Sequence, residues 1–145
     1  WDITPLEGLN NLIIAVGGND IYQPGTVSAP ADVIPPLSAM KEGYAEICRK
    51  AHAKGIRVIG TTISPIAGSS SWNESKMKFY RSLNDWIKQR SIAEGVFDRI
   101  IDFEQILSDP ITGCLKAEYD SGDHLHFNLN AGMALAEAVC RILAE

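Results

Sequence analysis

Leu12-Ile-Ile-Ala-Val16 is a short continuous apolar run that ends in Gly17-Gly18. An unbroken run of that length suits a strand buried on both faces. From Ser38 to Lys54 the spacing changes: Met40, Tyr44, Ile47, Cys48 and Ala51 recur on one side of a helix, and Gly55 closes it. Ile56 to Ile63 is a second strand, followed by Ser64-Pro65 and the flexible Gly68 to Ser71. A helix from about Asn73 to Arg90 carries Met77, Tyr80, Leu83 and Ile87 on one face. Phe97 to Phe103 reads as a third strand, and Asp109-Pro110 and Thr112-Gly113 as turns. The last helix runs from Leu129 to Leu143, with Leu135, Val139, Cys140 and Ile142 in its apolar stripe and Asn128 as N-cap. Between the first strand and first helix, Tyr22 to Pro36 contains four Pro and predicts a long irregular loop, the kind that is more often functional than idle.

Strands that alternate with helices of this length predict an α/β fold with a parallel sheet covered on both faces. Ligands bind such sheets at the carboxyl ends of the strands. Gly17-Gly18-Asn19-Asp20 and Thr62-Ile63-Ser64-Pro65 both lie at such ends. The 145 residues make one domain, and 46% hydrophobic with 21% charged residues is ordinary for a globular chain. A net charge of −5 offers no basic stripe for nucleic acid. No apolar run approaches the roughly 20 residues needed to span a bilayer. Cys48, Cys114 and Cys140 lack paired C-x-x-C spacing, and Cys48 and Cys140 read as core residues. The chain starts at Trp1 and is expected to be a processed or trimmed piece.

Candidate chemistry concentrates in Asp120 to Gly132, D-S-G-D-H-L-H-F-N-L-N-A-G. Asp123 precedes His126 by three residues on a loop that enters a helix. A carboxylate there can turn back onto one imidazole nitrogen and leave the other free as a general base. The same pair can also serve merely as a capped helix entrance. His124 next to His126 raises a metal site, but alternating residues of an extended segment point apart and no third ligand cluster is evident. Gly17-Gly18 is not followed by the pattern of a phosphate cradle, and no helix is expected to start there. His52 is expected to face solvent. Ser64 and Ser69 to Ser71 lack the context of an activated nucleophile, and Trp72, Tyr80 and Trp86 read as packing.

Gly17-Gly18-Asn19-Asp20 resembles the G-x-N-D block of the SGNH (GDSL-type) ester hydrolases, and Asp123-His124-Leu125-His126 their D-x-x-H block. Arg49 to Pro65, Asn84-Asp85-Trp86-Ile87 and Asp120 to His126 are similar to one branch of the same superfamily, so the likeness covers nearly the whole chain. The resemblance implies a three-layer α/β/α, flavodoxin-like sheet of order 2-1-3-4-5, of which this chain holds strands 3, 4 and 5. It assigns His126 as base, Asp123 as its orienting carboxylate and Asn19 as an oxyanion donor. Gly17 allows the sharp turn off the strand, and Asp20, Ile21 and Leu125 are implied substrate contacts. The family's nucleophilic Ser sits in a Gly-Asp-Ser block, with a further Gly donor in a second block, and neither occurs in this chain. The expectation is an N-terminally incomplete carboxylic ester hydrolase whose Ser comes from another segment or chain, acting on a small ester or acylated carbohydrate without a cofactor. Its localisation leans towards secreted. The alternative is a catalytically inactive flavodoxin-like binding module.

Overall fold

Three strands, β1 (Asn11–Ile14), β2 (Arg57–Thr61) and β3 (Arg99–Ile101), pair in parallel in the order β1-β2-β3. Leu12 lies opposite Val58, and Thr61 opposite Ile101. This computed structural model describes residues 7–145, so the Trp1–Leu6 part of the segment ahead of β1 lies outside the described residues. The crossover from β1 to β2 carries α1 (Gly18–Tyr22) and α2 (Leu37–His52), and that from β2 to β3 carries α3 (Glu74–Gln89). After β3 come α4 (Phe103–Leu107) and α5 (Leu129–Leu143). The order is that of strands 3, 4 and 5 of a 2-1-3-4-5 sheet.

α2 and α3 close the larger core, in which Tyr44, Cys48, Tyr80, Leu83, Trp86 and Ile87 meet Ile14 and Val58 of the sheet. Each fully buried aliphatic or aromatic side chain there contributes about 1.5–3 kcal/mol. Tyr44, Trp86 and Phe97 form a ring cluster with centroids 5.6 to 6.4 Å apart. Gly60 of β2 makes room for it: a Cβ there would stand 2.4 Å from the Phe97 ring. α4 and α5 share a smaller cluster of Leu107, Leu115, Ala131 and Leu135. The predicted Asn128 cap holds, its side chain accepting from the N–H groups of Asn130 and Ala131, and Asn73, read as the start of its helix, caps α3 by accepting from the Lys76 N–H.

Several expectations change. A helix does start at Gly18, directly after the strand. The third strand stops at Ile101, because the Asp102 carboxylate accepts from Gln105 N–H at 3.0 Å and caps α4. Cys140 is exposed, on the side of α5 turned away from the core. His52 is half-buried, its Nε2 2.9 Å from Asp98 at the far end of the sheet from the β-strand tips. The Tyr22 to Pro36 loop is irregular, crossed only by isolated bridges such as Pro24 to Ala29.

Candidate active site

The Asp120–Phe127 loop is folded by its own acidic side chains. Asp120 accepts from the N–H groups of Gly122 and His124, and Asp123 Oδ1 from those of Leu125 and His126 at 3.0 and 2.8 Å. These Asx-type turns are local and require no distant partner. The second oxygen of Asp123 lies 2.6 Å from His126 Nδ1. A carboxylate only accepts, so Nδ1 carries the proton and Nε2 is the free acceptor. The His126 ring and its backbone N–H, with that of Leu125, hold the Asp123 carboxyl well below the usual carboxylate range. Asp123 therefore stays ionised beside the imidazole at any pH near neutrality.

His124 takes the left-handed conformation, φ 60°, which turns it out of the extended path expected for this segment. Its ring Nδ1 pairs with Asp120 rather than converging with His126. The Asp120 carboxyl is held below its ordinary value first by the Gly122 N–H, then by His124. This second Asp–His pair stiffens the loop that presents the first.

At the opposite wall, β1 ends and the chain turns through Gly17 (φ 102°) into α1. The turn needs glycine for space as well as conformation: a Cβ would lie 2.5 Å from the Tyr44 hydroxyl. That hydroxyl donates to Val16 O at 2.7 Å and pins the strand exit. Burial, and then the nearby Asp20 charge, push the Tyr44 phenol far above its ordinary value, so it remains a donor. Asn19 is exposed on α1 and lines a cleft of about 320 Å³ together with His126, Ser64, Leu125 and Phe127. Ile63 and Ile66 make the floor of this cleft apolar. A smaller hollow of about 110 Å³ adjoins it over the tips of β1 and β2, sharing Gly18, Ile63, Ser64 and Phe127.

The Gly17–Asp20 and Asp123–His126 motifs, far apart in sequence, thus meet at one cleft, at the carboxyl ends of the strands. Leu125 lines it. Ile21 does not: it is fully buried in the core, because the inward face of α1 has to cover the sheet. Asp20 opens on a neighbouring hollow beside Met40 and Tyr44. Sequence reasoning missed Phe127, Tyr22 and Ile66 as cleft walls, and it missed Asn84. The Asn84 amide, almost fully buried, accepts from Ile63 N–H at 2.7 Å and donates to Ile63 O at 3.0 Å, fixing the cleft floor. The signal was the Asn84-Asp85-Trp86-Ile87 block, whose polar lead residue falls on the buried side of a helix.

Among solved structures, a GDSL-like lipase from Bacteroides thetaiotaomicron superposes with a TM-score of 0.72 at 18% identity, covering 93% of this chain and 62% of its own. A lipolytic protein of the G-D-S-L family from Desulfitobacterium hafniense gives 0.71 at 17% identity, covering 94% and 66%. At such identities the likeness concerns the fold, and this chain spans about three fifths of the length of these structures. No curated protein matches it. The model of the GDSL-like lipase/acylhydrolase family matches residues 7–139, and the chain belongs to that family.

Proposed function

We propose that this chain is the base-bearing and oxyanion-bearing portion of a carboxylic ester hydrolase, with the nucleophilic Ser supplied by a segment N-terminal to it. The observation that carries the reading is the opening of an Asp-oriented imidazole and a free side-chain amide onto one cleft. In this mechanism His126 Nε2 takes the proton of the Ser hydroxyl as it attacks the ester carbonyl, then returns it to the departing alkoxide. Asp123 keeps the ring in the required tautomer and stabilises the imidazolium. The Asn19 amide donates to the developing oxyanion, an interaction worth about 3 kcal/mol in a water-excluded site. Water then repeats the sequence on the acyl-enzyme. The apolar floor and modest volume of the cleft favour a short acyl group.

Two surfaces support a missing Ser-bearing unit. Among the described residues β1 is an edge strand, whose open main-chain groups can accept a further strand. α5 turns Leu129, Met133, Cys140 and Leu143 outward at helical spacing, with Leu129 79% and Met133 61% exposed. A strand paired to β1 with a helix on α5 covers both and brings its own strand tip to the 110 Å³ hollow beside Val16 and Phe127.

A fluorophosphonate ester probe followed by intact mass under denaturing conditions tests the reading. An adduct on a Ser-bearing segment outside residues 1–145 is the expected result. An adduct on Ser64 or Ser69 to Ser71 overturns the placement of the nucleophile. Absence of labelling in a preparation that contains the whole gene product favours the binding module instead.

A further inference from the structure

Lys76 is 2% exposed, although it carries a charge. It is the third residue of α3, where the helix dipole is unfavourable to a cation. All three of its ammonium donors end on neutral oxygens: Tyr22 O at 3.0 Å, Pro24 O at 2.7 Å and Ser71 Oγ at 3.3 Å. Its Nζ also stands 6.0 Å from the Tyr22 ring centroid. Burying an ammonium without a carboxylate, at the wrong end of a helix, disfavours folding in three ways at once. A methionine of similar length would fill the space without that cost.

What Lys76 holds is the end of α1. Tyr22 is the last residue of that helix, so its carbonyl has no partner within the helix. Ser71 Oγ donates to the same carbonyl at 2.9 Å, and the Tyr22 hydroxyl meets Ser70 Oγ at 3.2 Å. A helix of five residues has no stability of its own and takes its pose from its anchors. The first anchor is Tyr44 on Val16 O, just before α1, and the second is Lys76 just after it. Asn19 lies between them, one backbone bond from the far end, since Gln23 N–H donates to Asn19 O at 2.9 Å.

We infer that Lys76 is a positioning residue for the oxyanion-binding amide: a buried cationic cap, supplied by α3, that fixes α1 and so aims Asn19 into the cleft. The inference rests on the role of Asn19 proposed above. A K76M substitution tests it first on this chain, by amide hydrogen exchange. The Gln23 N–H should exchange at least about tenfold faster, as expected for one lost charge-assisted hydrogen bond, while the β2 and α3 amides keep their protection. Unchanged Gln23 protection overturns the proposal. If K76M does not fold, K76Q, which removes the cation and keeps a donor, takes its place, with faster Gln23 exchange and an intact core as the expected result and no local change as the refutation. The esterase-active protein supplies the second test: K76M should lower kcat about ten- to a hundredfold with KM little changed, and should cost nothing further in an N19A background. Additive losses reduce Lys76 to a structural role. An N19A enzyme with full kcat instead sinks the oxyanion assignment itself, which the exchange data on α1 do not depend on.

Discussion

Asn84→Ala removes the one side chain that bonds both backbone groups of Ile63. Asn84 is 1% and Ile63 5% exposed, so the Ile63 N–H and C=O are left inside the protein without partners. Each orphaned group costs about 1–3 kcal/mol, and the two together about 2–6 kcal/mol. That is a large fraction of the roughly 5–15 kcal/mol that holds a domain of this kind together. In urea, with a slope of about 2 kcal/mol per molar, the midpoint should fall by about 1–3 M at unchanged slope. The measurement is equilibrium unfolding followed by circular dichroism, with Asn84→Asp as companion. The aspartate keeps an acceptor for the Ile63 N–H but loses the donor and buries a charge, so it should be no better than alanine. A midpoint shift under about 0.5 M for Asn84→Ala refutes the reasoning, since water would then have replaced the amide at little cost.

Three other outcomes follow from the geometry. His126→Ala should lower esterase turnover by about a thousandfold, within the range of a lost general base, while His124→Ala, whose ring pairs with Asp120, should do far less; ester hydrolysis rates decide, and a flat profile from about pH 5 to 8 counts against an imidazole base. Gly17→Ala combines a positive φ with a Cβ pressed on the Tyr44 hydroxyl and should destabilise by about 1–3 kcal/mol or more, read from thermal unfolding. Burial works to raise the Asp98 carboxyl, but the Val58 N–H, the His52 ring and Arg57 hold it below its ordinary value of 3.8. A depressed folded value means that the stability it confers is present above the unfolded value and lost as pH falls through the folded one. Asp98→Asn should therefore flatten the acid limb of the stability profile below about pH 4. An unaltered acid limb would remove Asp98 from the account.

Long apolar patterns were legible because burial on one face imposes a period: α2, α3 and α5 fall within a few residues of the spans read from spacing. Short elements were not. α1 and α4 are five residues each, too short to show a period, and exist because tertiary partners hold their ends. The outward stripe of α5 misplaced Cys140, since an apolar face does not say what it covers. Lys76 precedes Tyr80, Leu83 and Ile87 at the same helical spacing, so its inward direction was written in the stripe. Its charge argued for the surface, and only its oxygen partners explain the exception. At the site, the Asp123–His126 pair was readable because three residues of separation define it. That Asn19 opens on the same rim was implied by its place at a strand end and by the family resemblance, whereas the five-residue helix that carries it was not readable.

The dyad loop closes on itself over a handful of residues, while Asn19 is placed by partners on α2 and α3. Closing a short loop costs little chain entropy, and bringing distant segments together costs more. The Asp123–His126 half of the proposed site is therefore expected to form early and melt late, and the Asn19 half to be the part that local opening reaches first. Warming the protein should disorder α1 while the His126–Asp123 contact survives, which makes the lifetime of the proposed catalytic arrangement a property of the Tyr44 and Lys76 anchors rather than of His126.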